Sequence, residues 1–153
     1  MTERFTTHDT MRLERDYPAS PERVFEAWAD PAQKREWFTG GSSEGDYVLD
    51  FSVGGHEVSR GGPAGSDDIY TYDAQYVDIV PNSRIVYTNF MLRGETRISA
   101  SLTSVEFLRT GDGTRLVLTE HGVFLDGEDK PEYRKQGIGQ QLDALGTALA
   151  SAG

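Results

Sequence analysis

Residues 47–124 contain six segments that we predict to be β-strands, joined in succession by short turns. In the first of them, residues 47–53, apolar side chains occupy every second position, and a Gly-Gly pair supplies a tight turn after it. The remaining predicted strands cover residues 56–60, 69–80, 84–92, 96–109 and 114–124, and the blurred alternation of 96–109 is compatible with a β-bulge. Strands connected in this way pair with their sequence neighbours, so the chain is predicted to form an antiparallel meander.

The segment before the meander predicts the end of a further strand and then two short helices, over residues 21–29 and 31–38. Ser20 can cap the first helix, and Pro21 fits its opening turn because the N–H that proline lacks would have no helical partner there. An Asp-Pro pair repeats this start signal before the second helix. Helices this short are marginal alone, so their apolar side chains must pack on a larger element. Those side chains are Val24, Phe25, Trp28, Trp37 and Phe38.

A long helix is predicted over residues 131–150. It opens at a proline and carries one apolar stripe at spacings of four, three and four residues, formed by Ile138, Leu142, Leu145 and Leu149. Gly137 and Gly139 are unfavourable inside a helix. Two explanations stay open: a close approach of the helix to the sheet or a ligand, or a helix that begins after these glycines.

These elements predict an α+β fold in one domain of 153 residues, with its core at about 9–150. An antiparallel sheet of about seven strands twists strongly and can curl around the final helix, which leaves space between its concave face and the apolar stripe. The two short helices follow the first strand.

Composition excludes several classes of partner. A net charge of −10 repels nucleic-acid phosphates and anionic lipid surfaces. The absence of cysteine excludes disulfides and thiolate metal sites, and no apolar run approaches the length of a membrane span. We therefore expect a cytoplasmic protein that binds neither nucleic acid nor membrane, without a cofactor.

Four blocks carry a resemblance to a known superfamily. They are ASPERVFEAW at 19–28 with Trp37 and Phe38, VDIVPNSRIVYT at 77–88, GTRLVLTE at 113–120, and QGIG at 136–139 leading into Leu142 and Leu145. The chain resembles the START-like helix-grip superfamily, also called SRPBCC, and within it the homologues of the activator of heat-shock protein 90 ATPase. The resemblance implies a long C-terminal helix packed on the concave face, with a cavity that this superfamily uses for lipids, sterols, polyketides and other apolar molecules.

The chain departs from that superfamily at two positions. Ile138 stands where many relatives have tryptophan, and Asn89 stands where an aromatic residue is frequent. Such changes alter the shape and polarity of a cavity wall, so the identity of a ligand does not carry over from relatives.

Three short segments resemble catalytic or metal-binding motifs, but their predicted structural context does not fit those motifs. The segment from His56 to Arg60 begins like a zinc-binding H-E-x-x-H helix, but it lacks the second histidine and is predicted to be a strand. Residues 41–45 match G-x-S-x-G, yet here a helix precedes and a strand follows, the reverse of a nucleophile elbow. The acidic run 126–129 lacks the ligand alternation of a calcium loop. We therefore predict no catalytic and no metal-binding residues.

Glu120 alternates with Leu116 and Leu118, so it is predicted on their face of its strand. If that face is concave, Glu120 is a partly buried carboxylate near the cavity, and its pKa is raised unless it is paired. The other interpretation is a salt bridge to an arginine on a neighbouring strand, or a bulge that turns the side chain outward.

The sequence thus yields three hypotheses for function. The leading one is binding of a hydrophobic small molecule such as a lipid, a sterol or an aromatic polyketide. The alternatives are a chaperone-partner or stress-response module, which acts through its surface, and a cyclase- or aromatase-like enzyme. Five aromatic residues could stack on a ligand, although aromatic residues in a small α+β protein are more often part of the core. They are Trp28, Trp37, Tyr72, Tyr87 and Phe90. A homodimer formed through exposed strand edges is also possible. The predicted ligand-binding residues are Trp37, Phe51, Tyr72, Tyr87, Asn89, Leu118, Glu120, Tyr133, Ile138 and Leu142.

Overall fold

A computed structural model describes residues 3–40, 46–62 and 67–152. The sheet strands are β1 (Thr6–Tyr17), β2 (Asp46–Leu49), β3 (His56–Gly61), β4 (Tyr70–Val80), β5 (Arg84–Arg93), β6 (Thr96–Thr110) and β7 (Gly113–Leu125). They form one curved seven-stranded sheet in the order β1-β7-β6-β5-β4-β3-β2, and every neighbouring pair is antiparallel. The predicted α+β meander is therefore confirmed.

Two β-bulges interrupt the pairing of the central strands. The register between β5 and β6 shifts where Ile98 has no partner, and that between β4 and β5 shifts at Val77. The first of these is the bulge that the blurred alternation of 96–109 indicated. Bulges increase local twist, which suits a sheet that curves around a helix.

The predicted strand over 47–53 is too long. β2 ends at Leu49, and the backbone then closes a turn in which Ser52 N donates to Asp50 O at 3.0 Å. The side chains reinforce this turn, because Ser52 Oγ also donates to Asp50 Oδ1 at 2.9 Å. Alternation alone could not reveal this competition between turn and strand. Phe51 nevertheless packs inward, 5.0 Å from the Tyr76 ring.

The two short helices lie where the sequence predicts them, as α1 (Pro21–Ala29) and α2 (Pro31–Phe38). Ser20 Oγ accepts a hydrogen bond from Arg23 N at 3.2 Å, as expected of an N-cap. The side chain of Asp30 makes no such bond at the start of α2.

The long helix α3 (Pro131–Ala152) begins before both of its unusual glycines, so the alternative of a later start is wrong. A Cβ atom on Gly139 would lie 3.4 Å from the Arg15 guanidinium of β1, which is an ordinary van der Waals contact. A Cβ atom on Gly137 would meet no atom within 4 Å. No close approach of the helix therefore explains either glycine.

The core lies between the concave face of the sheet and the three helices. Leu142, Leu145 and Leu149 of α3 are buried in it, and Ile138 is half-buried at its edge. The other buried core residues are Tyr17, Val24, Phe25, Ala27, Trp28, Trp37, Tyr72, Ala74, Tyr76, Ile85, Tyr87, Val105, Phe107, Leu116 and Leu118.

In the part of the chain that the structure describes, no helix combines the length and the apolar character needed to cross a membrane.

Candidate ligand-binding site

The sheet register assembles the predicted site on the concave face. Residues paired across antiparallel strands share a face. One such row runs from Glu120 on β7 through Thr103 and Tyr87 to Tyr76. The next row contains Gly122, Ser101, Asn89 and Ala74. Side chains from four strands therefore meet beneath α3.

Most predicted ligand-binding residues converge on this region. Phe51 and Ile138 are half-buried, and the buried members are Trp37, Tyr72, Tyr87, Asn89, Leu118, Glu120 and Leu142. Tyr133 lies apart from them, with 63% of the residue exposed and Lys130 Nζ 5.6 Å from its ring.

Glu120 is the centre of a buried polar cluster, which we call the Arg134 cluster. Arg134 of α3 donates from Nε to Glu120 Oε2 at 2.9 Å, and from Nη2 to Glu120 Oε1 at 3.1 Å and to Asn89 Oδ1 at 2.7 Å. Thr103 Oγ1 donates to Glu120 Oε1 at 2.6 Å, and Asn89 Nδ2 donates to Thr103 Oγ1 at 3.2 Å. The Arg134 guanidinium lies 5.7 Å from the Tyr72 ring.

Glu120 is ionised in this environment. Burial alone would raise its pKa, but the hydrogen bonds and charge of Arg134, helped by Thr103 and Asn89, hold the pKa below its usual value. The sequence predicted a raised pKa for Glu120 only if this carboxylate were unpaired, and it is paired. The interpretation as an ion pair is right, although the arginine comes from α3 rather than from a neighbouring strand. Since Glu120 is 1% exposed, it does not turn outward.

A second buried cluster, the Lys34 cluster, was not predicted. Lys34 Nζ of α2 lies 2.9 Å from Glu57 Oε2 of β3, and each side chain is only 1% exposed. Tyr47 donates its hydroxyl to Glu57 Oε2 at 2.6 Å, and Tyr76 donates to Oε1 at 3.0 Å. Burial lowers the pKa of Lys34, and Glu57 opposes that shift.

Aromatic rings complete the surroundings of the Lys34 ammonium. Its Nζ lies 4.7 Å from the Trp28 ring, 5.4 Å from Trp37 and 4.5 Å from Phe38, within the range of cation–π attraction. A signal for this cluster was present in the sequence. His56 and Glu57 are adjacent in a strand, so one of the two side chains must face inward.

Tyrosines connect the two clusters. The rings of Tyr76 and Tyr87 lie 5.8 Å apart, and Tyr72 interacts electrostatically with Tyr87. Burial raises the pKa of all three tyrosines above the ordinary value, so their hydroxyls stay neutral.

Three buried polar atoms have no hydrogen-bond partner among the described residues. They are Trp28 Nε1 and the hydroxyls of Ser99 and Ser101. Both serines lie on the concave face, since Ser101 pairs with Asn89 and Ser99 pairs with Met91.

Over residues 3–40, 46–62 and 67–152, no group of three or more histidine and carboxylate side chains could hold a metal ion. His56 contacts Asp73 instead, with Nδ1 3.0 Å from Oδ1. The acidic run 126–129 forms a turn in which Asp126 Oδ1 accepts from Phe5 N at 2.9 Å. The G-x-S-x-G match at 41–45 lies outside the described residues.

A separate open groove of about 540 Å³ lies between α3 and β1, at the edge of the sheet. Leu13, Gly139 and several charged side chains line it, among them Arg15 and Asp143, which form an ion pair of 2.8 Å.

A curved antiparallel sheet that holds a long C-terminal helix on its concave face defines a START-like, helix-grip protein. The chain belongs to the family described as "Activator of Hsp90 ATPase homolog 1-like protein", whose model matches residues 18–150. A search of curated proteins found no match.

Several solved structures share this fold. An uncharacterized protein from Rhizobium leguminosarum is 45% identical, with a TM-score of 0.93 over 98% of this chain and 99% of that chain. A protein from Rhizobium loti is also 45% identical, with a TM-score of 0.88 over 94% of this chain and 99% of that chain. A protein from Chromobacterium violaceum, at 24% identity and a TM-score of 0.77 over 92% of this chain and 96% of that chain, shares the fold.

Proposed function

We propose that the chain binds an apolar small molecule between the concave face of its sheet and α3. The observation that carries this proposal is the composition of that region, where aromatic walls surround two fixed polar clusters. The residues proposed to contact the ligand are Trp37, Phe51, Tyr72, Tyr87, Asn89, Leu118, Glu120, Ile138 and Leu142. Tyr133 is left out because it is largely exposed.

The energetics of buried charge support this interpretation. Replacing a buried ion pair by well-packed apolar side chains is often neutral or stabilising, so two such pairs are weak evidence of a role in stability alone. Binding sites for small molecules combine mainly apolar walls with a few fixed polar groups. Removal of apolar ligand area from water would supply most of the affinity, at about 25 cal/mol per Å². The polar clusters would orient the ligand.

A panel of ligands tests the proposal. The purified protein is screened with palmitic acid, cholesterol and the neutral dye Nile red, by native mass spectrometry and thermal unfolding. We expect at least one bound species and a raised unfolding temperature. Indifference to the whole panel would contradict the proposal.

A matched pair of variants tests the location of the ligand. Ile138→Trp enlarges a half-buried side chain on the inner face of α3. We expect it to weaken binding about tenfold because the ligand loses space. Thr147→Trp makes the same addition on the exposed face of α3 and should leave the affinity unchanged.

The family description supports a second candidate, a chaperone-partner module. That function requires the chain to raise the ATPase rate of purified heat-shock protein 90, which the ligand-binding function does not require. An unchanged rate would exclude this candidate.

A further inference from the structure

We propose that the ligand is an uncharged molecule whose acceptor oxygen, such as that of a ketone or an ester, binds the free edge of the Arg134 guanidinium. This inference rests on the proposed function and specifies its ligand class. It depends on three features of the Arg134 cluster and its neighbours: the balance of charge, the unused donors, and two buried hydroxyls without partners.

The charges of the buried, described side chains already balance. Arg134 is paired with Glu120, and Lys34 is paired with Glu57. A ligand carboxylate would add a charge that no described buried cation is free to compensate. An unpaired buried charge is strongly unfavourable, so the site disfavours anions of this kind.

Arg134 nevertheless has N–H donors that are not used in its bonds to Glu120 and Asn89. A guanidinium has five N–H groups, and Nε and Nη2 of Arg134 supply all its hydrogen bonds to Glu120 and Asn89. Its Nη1 group makes no hydrogen bond to a described residue and is not fully buried, so this edge of the guanidinium is open to solvent or to a ligand. Stacking near the Tyr72 ring and the bonds to Glu120 hold the group in a fixed orientation. A neutral acceptor oxygen can use these donors without disturbing the ion pair.

Two serine hydroxyls on the same face independently indicate that a hydrogen-bonding ligand binds here. Ser99 is 1% exposed, and the hydroxyls of both Ser99 and Ser101 are buried without a hydrogen bond among the described residues. Ser101 is the cross-strand neighbour of Asn89, which binds Arg134. Buried hydroxyls are normally satisfied, so these groups suit a second polar atom of a neutral ligand.

The decisive test compares two probes that share a naphthalene ring. 2-Acetylnaphthalene carries a neutral ketone, whereas 2-naphthoate carries a carboxylate at neutral pH. Their dissociation constants for the wild-type protein are measured by quenching of tryptophan fluorescence, with Nile red binding measured in parallel. We expect the ketone to bind at least about tenfold more tightly than the carboxylate.

Glu120→Gln should largely abolish that preference. The substitution leaves the charge of Arg134 uncompensated, so naphthoate should gain about tenfold in affinity relative to the ketone. Glu22→Gln is the matched control, because it removes the partner of Arg109 from an exposed pair. It should leave the preference of the wild type intact. Circular dichroism checks that each variant is folded, and the comparison of probes on the wild type stands without any variant.

The outcomes separate this inference from the proposed function. If Nile red binds, three results would overturn the inference and leave the proposed function standing. The first is that naphthoate binds as tightly as the ketone or more tightly, and the second is that neither naphthalene probe binds. The third is that a folded Glu120→Gln variant keeps the wild-type preference. Failure of Nile red, palmitic acid, cholesterol and both naphthalene probes to bind would instead overturn the proposed function itself.

Discussion

Lys34 and Glu57 show what a buried charge needs in order to be tolerated in this protein. Each oxygen of the Glu57 carboxylate accepts one tyrosine hydroxyl in addition to the ammonium. The ammonium in turn faces three aromatic rings, whose negative faces favour a cation. Each charge therefore depends on its partner.

Removing one member of this pair should strongly destabilise the folded protein. Glu57→Gln leaves the Lys34 ammonium buried without a counter-charge, and we expect the free energy of unfolding to fall by about 3 kcal/mol. Urea unfolding followed by tryptophan fluorescence measures the change. The matched substitution Glu22→Gln, in an exposed pair, should have little effect, and an equally small effect of Glu57→Gln would contradict this account.

Ion pairs also join the secondary-structure elements to one another. The Lys34 cluster connects α2 to β2, β3 and β4, and the Arg134 cluster connects the first turns of α3 to β5, β6 and β7. Farther along α3, the Tyr17 hydroxyl of β1 donates to Leu142 O at 2.7 Å. The long helix is thus attached to the sheet near its start and again farther along its length, and Glu120 belongs to the first of these contacts.

The contribution of Glu120 should disappear in acid. Its pKa is lower in the folded protein than in the unfolded chain, so its stabilising effect is complete above the unfolded value and is lost as the pH falls through the folded value. We expect Glu120→Gln to be less stable than the wild type by about 3 kcal/mol near neutral pH. The gap should narrow as the pH falls below 4.5, the ordinary pKa of glutamate. Denaturant unfolding at several pH values measures it, and a gap independent of pH would show that Glu120 is not ionised.

At the scale of the whole molecule, local signals in the sequence were enough to predict the fold. Turn residues and alternation define the strands, while an N-cap and prolines define the helix starts, and these are properties of neighbouring residues. The polar clusters could not be predicted in the same way. Lys34 and Glu57 are 23 residues apart, and they meet only because α2 packs against the inner face of β3. Arg134 reaches Glu120 from a different layer of the fold.

The central claim is that a ligand binds between the concave face and α3. Chemical-shift mapping by two-dimensional NMR, with Nile red added to the isotope-labelled protein, tests it most directly. We predict the largest shifts at Tyr72, Tyr87 and Ile138 and at the Trp37 indole, with the convex face unchanged. Shifts confined to exposed Leu102 and Leu108 of β6, on the opposite face of the sheet, would contradict the account.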